Sequence, residues 1–232
     1  MKNTIGRTLF WFKNADGYVK ILNEGYFAFG TLLNRLMNEK YEGRKIKFIN
    51  ICLAPEEYYR KFACPVNHLH YHSGHLNFDG LIDFNEFNRL SKSGQVSFVW
   101  NKGYEYLKSS ALMLKNNNLL EACEYAYHKG LEIGLNPDYK MVEADVVLYG
   151  VPVNASVWVN FKNDGMDSKF SLEKDGKVIF EKEIDATING IEFFLEMYKK
   201  IEVKNNGFLI KGHYGVDYLP LLIPIDKELL EG

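Results

Sequence analysis

The sequence predicts an α+β fold: a mixed N-terminal α/β part with a histidine-rich hairpin, a central αα-hairpin, and a C-terminal four-stranded antiparallel meander with a covering helix. Three observations predict it. Strand and helix patterns alternate over residues 1–100, two adjacent helical patterns fill 101–137, and period-two alternation between turn residues dominates 138–232. No low-complexity linker separates these sub-regions, so we expect a single α+β domain over 1–232.

The first sub-region opens with a strand at Thr8–Lys13, which a helical pattern follows over Tyr18–Glu39. The apolar residues of that pattern recur at intervals of three and four, which places them on one face of a helix. A second strand is predicted at Lys45–Leu53. Beyond the histidines, Asp83–Ser91 is predicted as a short helix and Val96–Trp100 is strand-like.

The central sub-region is predicted as two helices that meet at an Asn-Asn-Asn turn. One pattern runs from Tyr104 to Lys115 and the other from Asn118 to about Leu135. Small residues recur every four positions in the second pattern and permit close approach of another helix. They are Ala122, Ala126 and Gly130.

The C-terminal sub-region is predicted as strands. Four of them are expected at Lys140–Tyr149, Val153–Lys162, Ser168–Lys174 and Lys177–Ile184. The turn residues between them favour an antiparallel meander. A helix over Ile191–Lys199 has its apolar residues on one stripe, and we expect it to cover one face of the meander. A last hairpin is predicted at Asn205-Asn206-Gly207, and prolines keep the run Tyr218–Ile225 out of a central strand.

Composition narrows the class of function. The net charge of −2 gives no argument for nucleic acid. The N-terminus lacks the apolar segment of a signal peptide, and no apolar run approaches the ~18 residues of a membrane span. The three cysteines are widely spaced and odd in number, which is typical of reduced thiols. We therefore expect a cytoplasmic protein without a membrane segment, of undetermined oligomeric state.

The densest chemistry lies in the stretch NHLHYHSGHLNFD, which starts at Asn67 and holds four of the six histidines. Apolar and polar residues alternate on both sides of Ser73-Gly74, which predicts a β-hairpin with a two-residue turn. The apolar residues share the face that goes to a core. The opposite face is the candidate binding site, formed by His68, His70, His72, His75, Asn77 and Asp79.

Two functions remain open for this polar face. The first is contact with a protein partner, with no cofactor and no bound metal. The alternative is a metal site, because cross-strand Cβ atoms lie about 5 Å apart and His72 and His75 can then share an ion. In that alternative His70, His72 and His75 bind zinc or another divalent transition metal, with an open position for water.

These alternatives define two classes of protein. One is a non-catalytic cytosolic interaction protein, such as an immunity protein that neutralises a partner toxin. Its support is the absence of P-loop, GxGxxG, GxSxG and HExxH motifs, together with 34 aromatic residues that suit partner binding. The other is a metal-dependent hydrolase that uses the histidines at 68–79.

Overall fold

A computed structural model describes residues 4–231. The chain forms two compact units, Met1–Pro137 and Asp138–Gly232. The boundary at Pro137 coincides with the one predicted between the helical hairpin and the C-terminal sub-region. The single α+β domain stays a prediction.

The N-terminal unit is built on a five-stranded mixed sheet in the order β2-β1-β3-β5-β4. Its strands are β1 (Arg7–Asn14), β2 (Gly17–Tyr18), β3 (Phe48–Ala54), β4 (His68–His72) and β5 (His75–Leu81). Strands β1, β3 and β5 run parallel to one another, whereas β4 is antiparallel to β5 and forms the edge of the sheet. The mixed α/β start and the histidine hairpin are therefore confirmed.

The described residues of this unit also form helices. They are α1 (Lys20–Gly25), α2 (Phe27–Lys40), α3 (Glu56–Lys61), α4 (Phe84–Arg89), α5 (Lys92–Met113) and α6 (Asn117–Glu132). The inward side chains of β1, β3 and β5 are buried with residues of α2, α5 and α6 in one apolar core. Helix α2 lies close to β1, since a Cβ on Gly30 would be 2.5 Å from the carbonyl oxygen of Thr8.

The small residues of α6 allow close approach of a neighbouring helix, as predicted. A Cβ on Gly130 would be 2.2 Å from the indole ring of Trp100, so only glycine admits that ring between α5 and α6. Trp100 in turn donates its indole N–H to the carbonyl oxygen of Tyr127, at 3.3 Å.

The strand-like assignment of Val96–Trp100 is wrong, because this segment lies inside α5. Ser91 accepts a hydrogen bond from the Gly94 N–H and caps the helix well before the predicted start at Tyr104. The buried residues of α5 recur at helical spacing from Val99 to Ala111. Packing of this stripe on the sheet thus outweighs the local β preference.

The C-terminal unit contains two antiparallel sheets. The four-stranded meander consists of β6 (Tyr139–Leu148), β7 (Val151–Phe161), β8 (Gly165–Lys174) and β9 (Lys177–Ile188), which confirms the prediction. A three-stranded sheet follows, formed by β10 (Tyr198–Lys204), β11 (Gly207–Gly212) and β12 (Leu221–Pro224), and the short helix α7 (Glu228–Glu231) follows that sheet.

The predicted covering helix at Ile191–Lys199 is wrong. Only Glu192–Glu196 is helical, as a 3₁₀ turn, and the chain then enters β10. The three-stranded sheet covers the meander instead, with Phe208 and Phe170 rings 5.3 Å apart. From the turn at Asn205-Asn206, β11 pairs with β10 as far as Tyr198. Tyr198 and Lys199, which were predicted to be helical, are therefore part of a strand.

Candidate functional site

The histidine hairpin has the predicted register. His68 lies opposite Asp79, His70 opposite Asn77, and His72 opposite His75. Ser73 and Gly74 both have positive φ, at 50° and 88°, as the tightest hairpin turns require. The Gly74 carbonyl accepts hydrogen bonds from the N–H groups of Lys47 and Phe48, at 2.8 and 3.1 Å. The turn is therefore anchored to the start of β3.

The apolar face of the hairpin is buried and the polar face is more exposed, as predicted, except at Tyr71 on the edge strand. Leu76 and Phe78 are buried, and Leu69 packs against the core from a half-buried position. Tyr71 lies near the free side of β4 and stays partly exposed, with its hydroxyl donating to the Lys45 carbonyl at 2.8 Å. The six candidate residues occupy the opposite face. His70, His72 and His75 are exposed, and His68, Asn77 and Asp79 are half-buried.

This face is wider than the hairpin, because the register carries it across β3 and β1. Residues in register on adjacent strands point to the same side of a sheet. Three rows of four therefore cross the open side of the sheet, and we call these twelve residues the histidine face. The rows are Arg7-Phe48-His75-His72, Leu9-Asn50-Asn77-His70 and Trp11-Cys52-Asp79-His68.

A chain of hydrogen bonds crosses the centre of the histidine face. The Trp11 indole N–H donates to Asn50 Oδ1 at 2.9 Å, and Asn50 Nδ2 donates to Asn77 Oδ1 at 2.7 Å. Three strands that are distant in sequence are thus joined by neutral side chains. The Asn50 and Asn77 amides are each held in one orientation by a neighbour, so the centre of the face is ordered before any partner arrives.

Cys52 is the most enclosed polar group of the face. Burial raises the pKa of its thiol to about 11, against the lowering influence of Lys13, and Asp79 adds to the rise. The pKa of Lys13 is also raised: burial works to lower it, but the neighbouring Cys52, Tyr58 and Tyr18 outweigh that effect. Lys13 therefore remains a cation, and the thiol remains protonated and a poor nucleophile.

The aromatic rings of the face already have neighbours within the protein. Phe48 lies between the Arg7 guanidinium, 5.5 Å from its ring centre, and the His75 ring, 4.8 Å away. The Trp11 ring packs against Tyr18 of β2 at 5.2 Å. Phe48 and Trp11 are both half-buried, so part of each ring is already covered within the protein.

The alternative metal triad of His70, His72 and His75 is not assembled. The His70 ring turns toward Asp79, with Nε2 and Oδ2 3.9 Å apart, and packs against His68 at 4.3 Å. The His75 ring instead packs on Phe48. Within residues 4–231, no three His, Cys, Asp or Glu side chains are grouped so as to hold a metal ion.

Sequence reasoning missed half of the histidine face. Trp11 was placed only in the strand Thr8–Lys13, and Cys52 only in the strand Lys45–Leu53 and among the reduced thiols. Asn50 carried the available signal, because it is a polar residue in a strand whose alternate members, Ile49 and Ile51, are apolar and fully buried. The parallel pairing that brings it beside Asn77 is not a local feature of the sequence.

None of the helices in the described part of the chain combines the length and apolar character that crossing a membrane requires. Compared with known proteins, the chain has no match among protein-family models, curated proteins or solved structures.

Proposed function

We propose that this protein is a non-catalytic interaction protein that binds another protein through the histidine face. One observation carries the proposal: α2, α5 and α6 pack on one side of the five-stranded sheet, and the other side carries twelve side chains from four strands, with Tyr58 of α3 beside the Lys13 end. Such a surface is broad and internally hydrogen-bonded. Binding to it costs little side-chain ordering, which favours contact with another folded surface.

Charge complementarity indicates the chemistry of the partner. The face has Arg7 and a neighbouring permanent cation, Lys13, whereas Asp79 is its only carboxylate and is 19% exposed at the side chain. Four imidazoles add hydrogen-bonding groups. We therefore expect the partner to contribute an acidic surface patch.

A protein suits this face better than single-stranded nucleic acid. Proteins that bind single strands stack successive bases on exposed aromatic rings. Here Phe48 is flanked by Arg7 and His75, and Trp11 is packed against Tyr18, so these rings are already occupied. Amides and imidazoles, which pair well with polar side chains, make up much of the remaining surface.

In its more specific form, the proposal is a cytoplasmic protein that acts by covering its partner, as immunity proteins do when they neutralise a toxin. The buried Cys52 thiol and the dispersed histidines offer no activated nucleophile and no assembled metal triad to support a hydrolase.

The test begins with a photo-crosslinking amino acid at position 70, whose native side chain is 57% exposed, in cells that produce the protein. The crosslinked protein is identified and purified, and its affinity for the unmodified chain is measured by calorimetry. We expect the triple replacement of His70, His72 and His75 by Asn, and separately Lys13→Gln, each to weaken binding about tenfold or more, as loss of central contacts does.

Lys199→Gln is the charge-matched control, because Lys199 is exposed on β10 of the other unit. It should leave the affinity within about twofold, as surface changes outside an interface do. A crosslinked protein that binds the triple variant, Lys13→Gln and the wild type equally would contradict the proposal. So would a partner whose contact surface is basic.

A further inference from the structure

The meander of the C-terminal unit also has an open face, and its register defines a second grid. Three rows of four residues cross β6, β7, β8 and β9 on the side away from the three-stranded sheet. We call these twelve residues the acidic face. The rows are Lys140-Trp158-Lys169-Glu183, Glu143-Ser156-Ser171-Glu181 and Asp145-Asn154-Glu173-Val178.

Carboxylates outnumber cations on the acidic face. Five of its residues are acidic, and only Lys140 and Lys169 are basic. Lys169 forms an ion pair with Glu181 at 2.6 Å. The acidic face thus has the charge to attract a cation, opposite to the histidine face.

Lys140 occupies a ready-made site for a cation on this face. Its ammonium lies 3.4 Å from Glu143, 3.3 Å from Glu173 and 5.6 Å from the ring centre of Trp158. It also donates to Asn154 Oδ1 at 3.1 Å. To reach Glu173 from its own row, the Lys140 side chain must cross the row that contains Ser156.

Two buried hydroxyls in the middle row of this face have no partner. Ser156 and Ser171 lie directly opposite each other and are 0% and 1% exposed. Neither Oγ atom has a hydrogen-bond partner in the structure. Buried hydroxyls are normally paired, because an unsatisfied one is costly. The lysine does not meet this need, because its ammonium is held by the carboxylates.

We propose that the acidic face is a docking site for an arginine side chain of a partner protein. A guanidinium has five N–H donors in one plane, so it can donate to both serine hydroxyls and to a flanking carboxylate at once. The row from Glu143 to Glu181 spans three strand spacings, about 14 Å, and the guanidinium would enter at its centre as the Lys140 side chain moves away. Trp158 in the adjacent row supplies a ring for stacking.

In this proposal the partner's arginine displaces the Lys140 ammonium from its position beside Glu143 and Glu173. Displacement keeps the carboxylates neutralised and adds the two hydroxyl contacts that lysine leaves unmade. The inference concerns the other compact unit and does not depend on the histidine face.

The test uses a short peptide of alternating glycine and arginine, and a lysine peptide of the same pattern. Binding is followed through the indole N–H resonances in a heteronuclear NMR spectrum of the full chain. The protein has three tryptophans, at positions 11, 100 and 158, so each signal reports on a different place. We expect the Trp158 resonance to move with the arginine peptide, and those of Trp11 and Trp100 to stay.

Three variants distinguish a built site from diffuse attraction. Glu143→Gln and Ser156→Ala should each weaken arginine binding about fivefold or more, because the first removes a negative charge and the second removes a hydroxyl acceptor. Lys140→Met should strengthen it by a similar factor, because the competing cation is gone. Lys204→Met, at an exposed position of β10, makes the same charge change and should have an effect of less than about twofold.

Several results would overturn the proposal. One is a Trp158 resonance that does not move at the highest peptide concentration. Another is equal affinity for the lysine peptide, which would mean that the acidic face attracts cations without selecting arginine. A third is equal effects of Lys140→Met and Lys204→Met. The amide spectrum of each variant shows whether it is folded, and Ser156→Ala, which removes only one oxygen atom, tests the site if Lys140→Met does not fold.

Discussion

The histidine face and the acidic face are both three-by-four grids on the open side of a sheet, but they satisfy their polar groups differently. On the histidine face, Trp11, Asn50 and Asn77 form a continuous chain of neutral hydrogen bonds. On the acidic face, lysine–carboxylate pairs share the surface with two serine hydroxyls that have no partner. An internally satisfied face suits a broad partner surface, whereas an unsatisfied one suits a particular group that completes it.

The layer behind each grid also differs. The histidine face is backed by helices α2, α5 and α6, and the acidic face by a second sheet together with the 3₁₀ turn. Packing against this layer holds the strands in place, and the strands set the spacing of the rows. Substitutions in each layer or face therefore test what stabilises that face.

The largest effect is expected from Phe194→Ala, which tests the backing of the acidic face. Phe194 is 3% exposed in the 3₁₀ turn, so its truncation should lower the free energy of unfolding by about 3–5 kcal/mol. Phe193→Ala is the matched control, because the adjacent ring is 46% exposed and should cost less than about 1 kcal/mol. Chemical denaturation measures both. Equal losses would show that the turn does not contribute specifically to the core.

A smaller effect is expected from Asn50→Leu on the histidine face. The change leaves the Trp11 indole N–H and the Asn77 carbonyl oxygen without partners, which should cost about 1–3 kcal/mol. A double-mutant cycle with Asn77→Leu checks the mechanism, because coupled residues are not additive. The double variant should lose less than the sum of the single losses. Strict additivity would mean that the chain of amides contributes no coupling.

The smallest effect, of opposite sign, is expected from Ser156→Ala on the acidic face. Removal of a buried hydroxyl that has no partner should leave stability unchanged or raise it by up to about 1 kcal/mol. Ser110→Ala is the control, since Ser110 is equally buried but donates to the Tyr106 carbonyl at 2.7 Å and should lose about 0.5–1.5 kcal/mol. A loss at Ser156 as large as that at Ser110 would indicate that its hydroxyl is satisfied after all.

Local patterns were sufficient wherever neighbours in the sequence are also neighbours in space. The histidine hairpin, the meander and the turn at Asn205-Asn206 follow from alternation and turn chemistry alone. The same reasoning failed at Val96–Trp100 and Ile191–Lys199. In both segments the residues fit helix and strand about equally well, and a distant partner decided between them.

The sequence by itself determined the cross-strand pairs of the hairpin and which of its faces is polar, because a period of two fixes both once the turn is placed. Only the tertiary structure placed Asn50 and Trp11 beside the hairpin, since parallel strands pair across long connections whose register is not visible locally. Likewise, only the tertiary structure shows that the Ser156 and Ser171 hydroxyls are buried without a hydrogen-bond partner. Alternation along β7 and β8 indicates that both serines lie on the polar face, but the charged residues around them come from three strands, β6, β8 and β9.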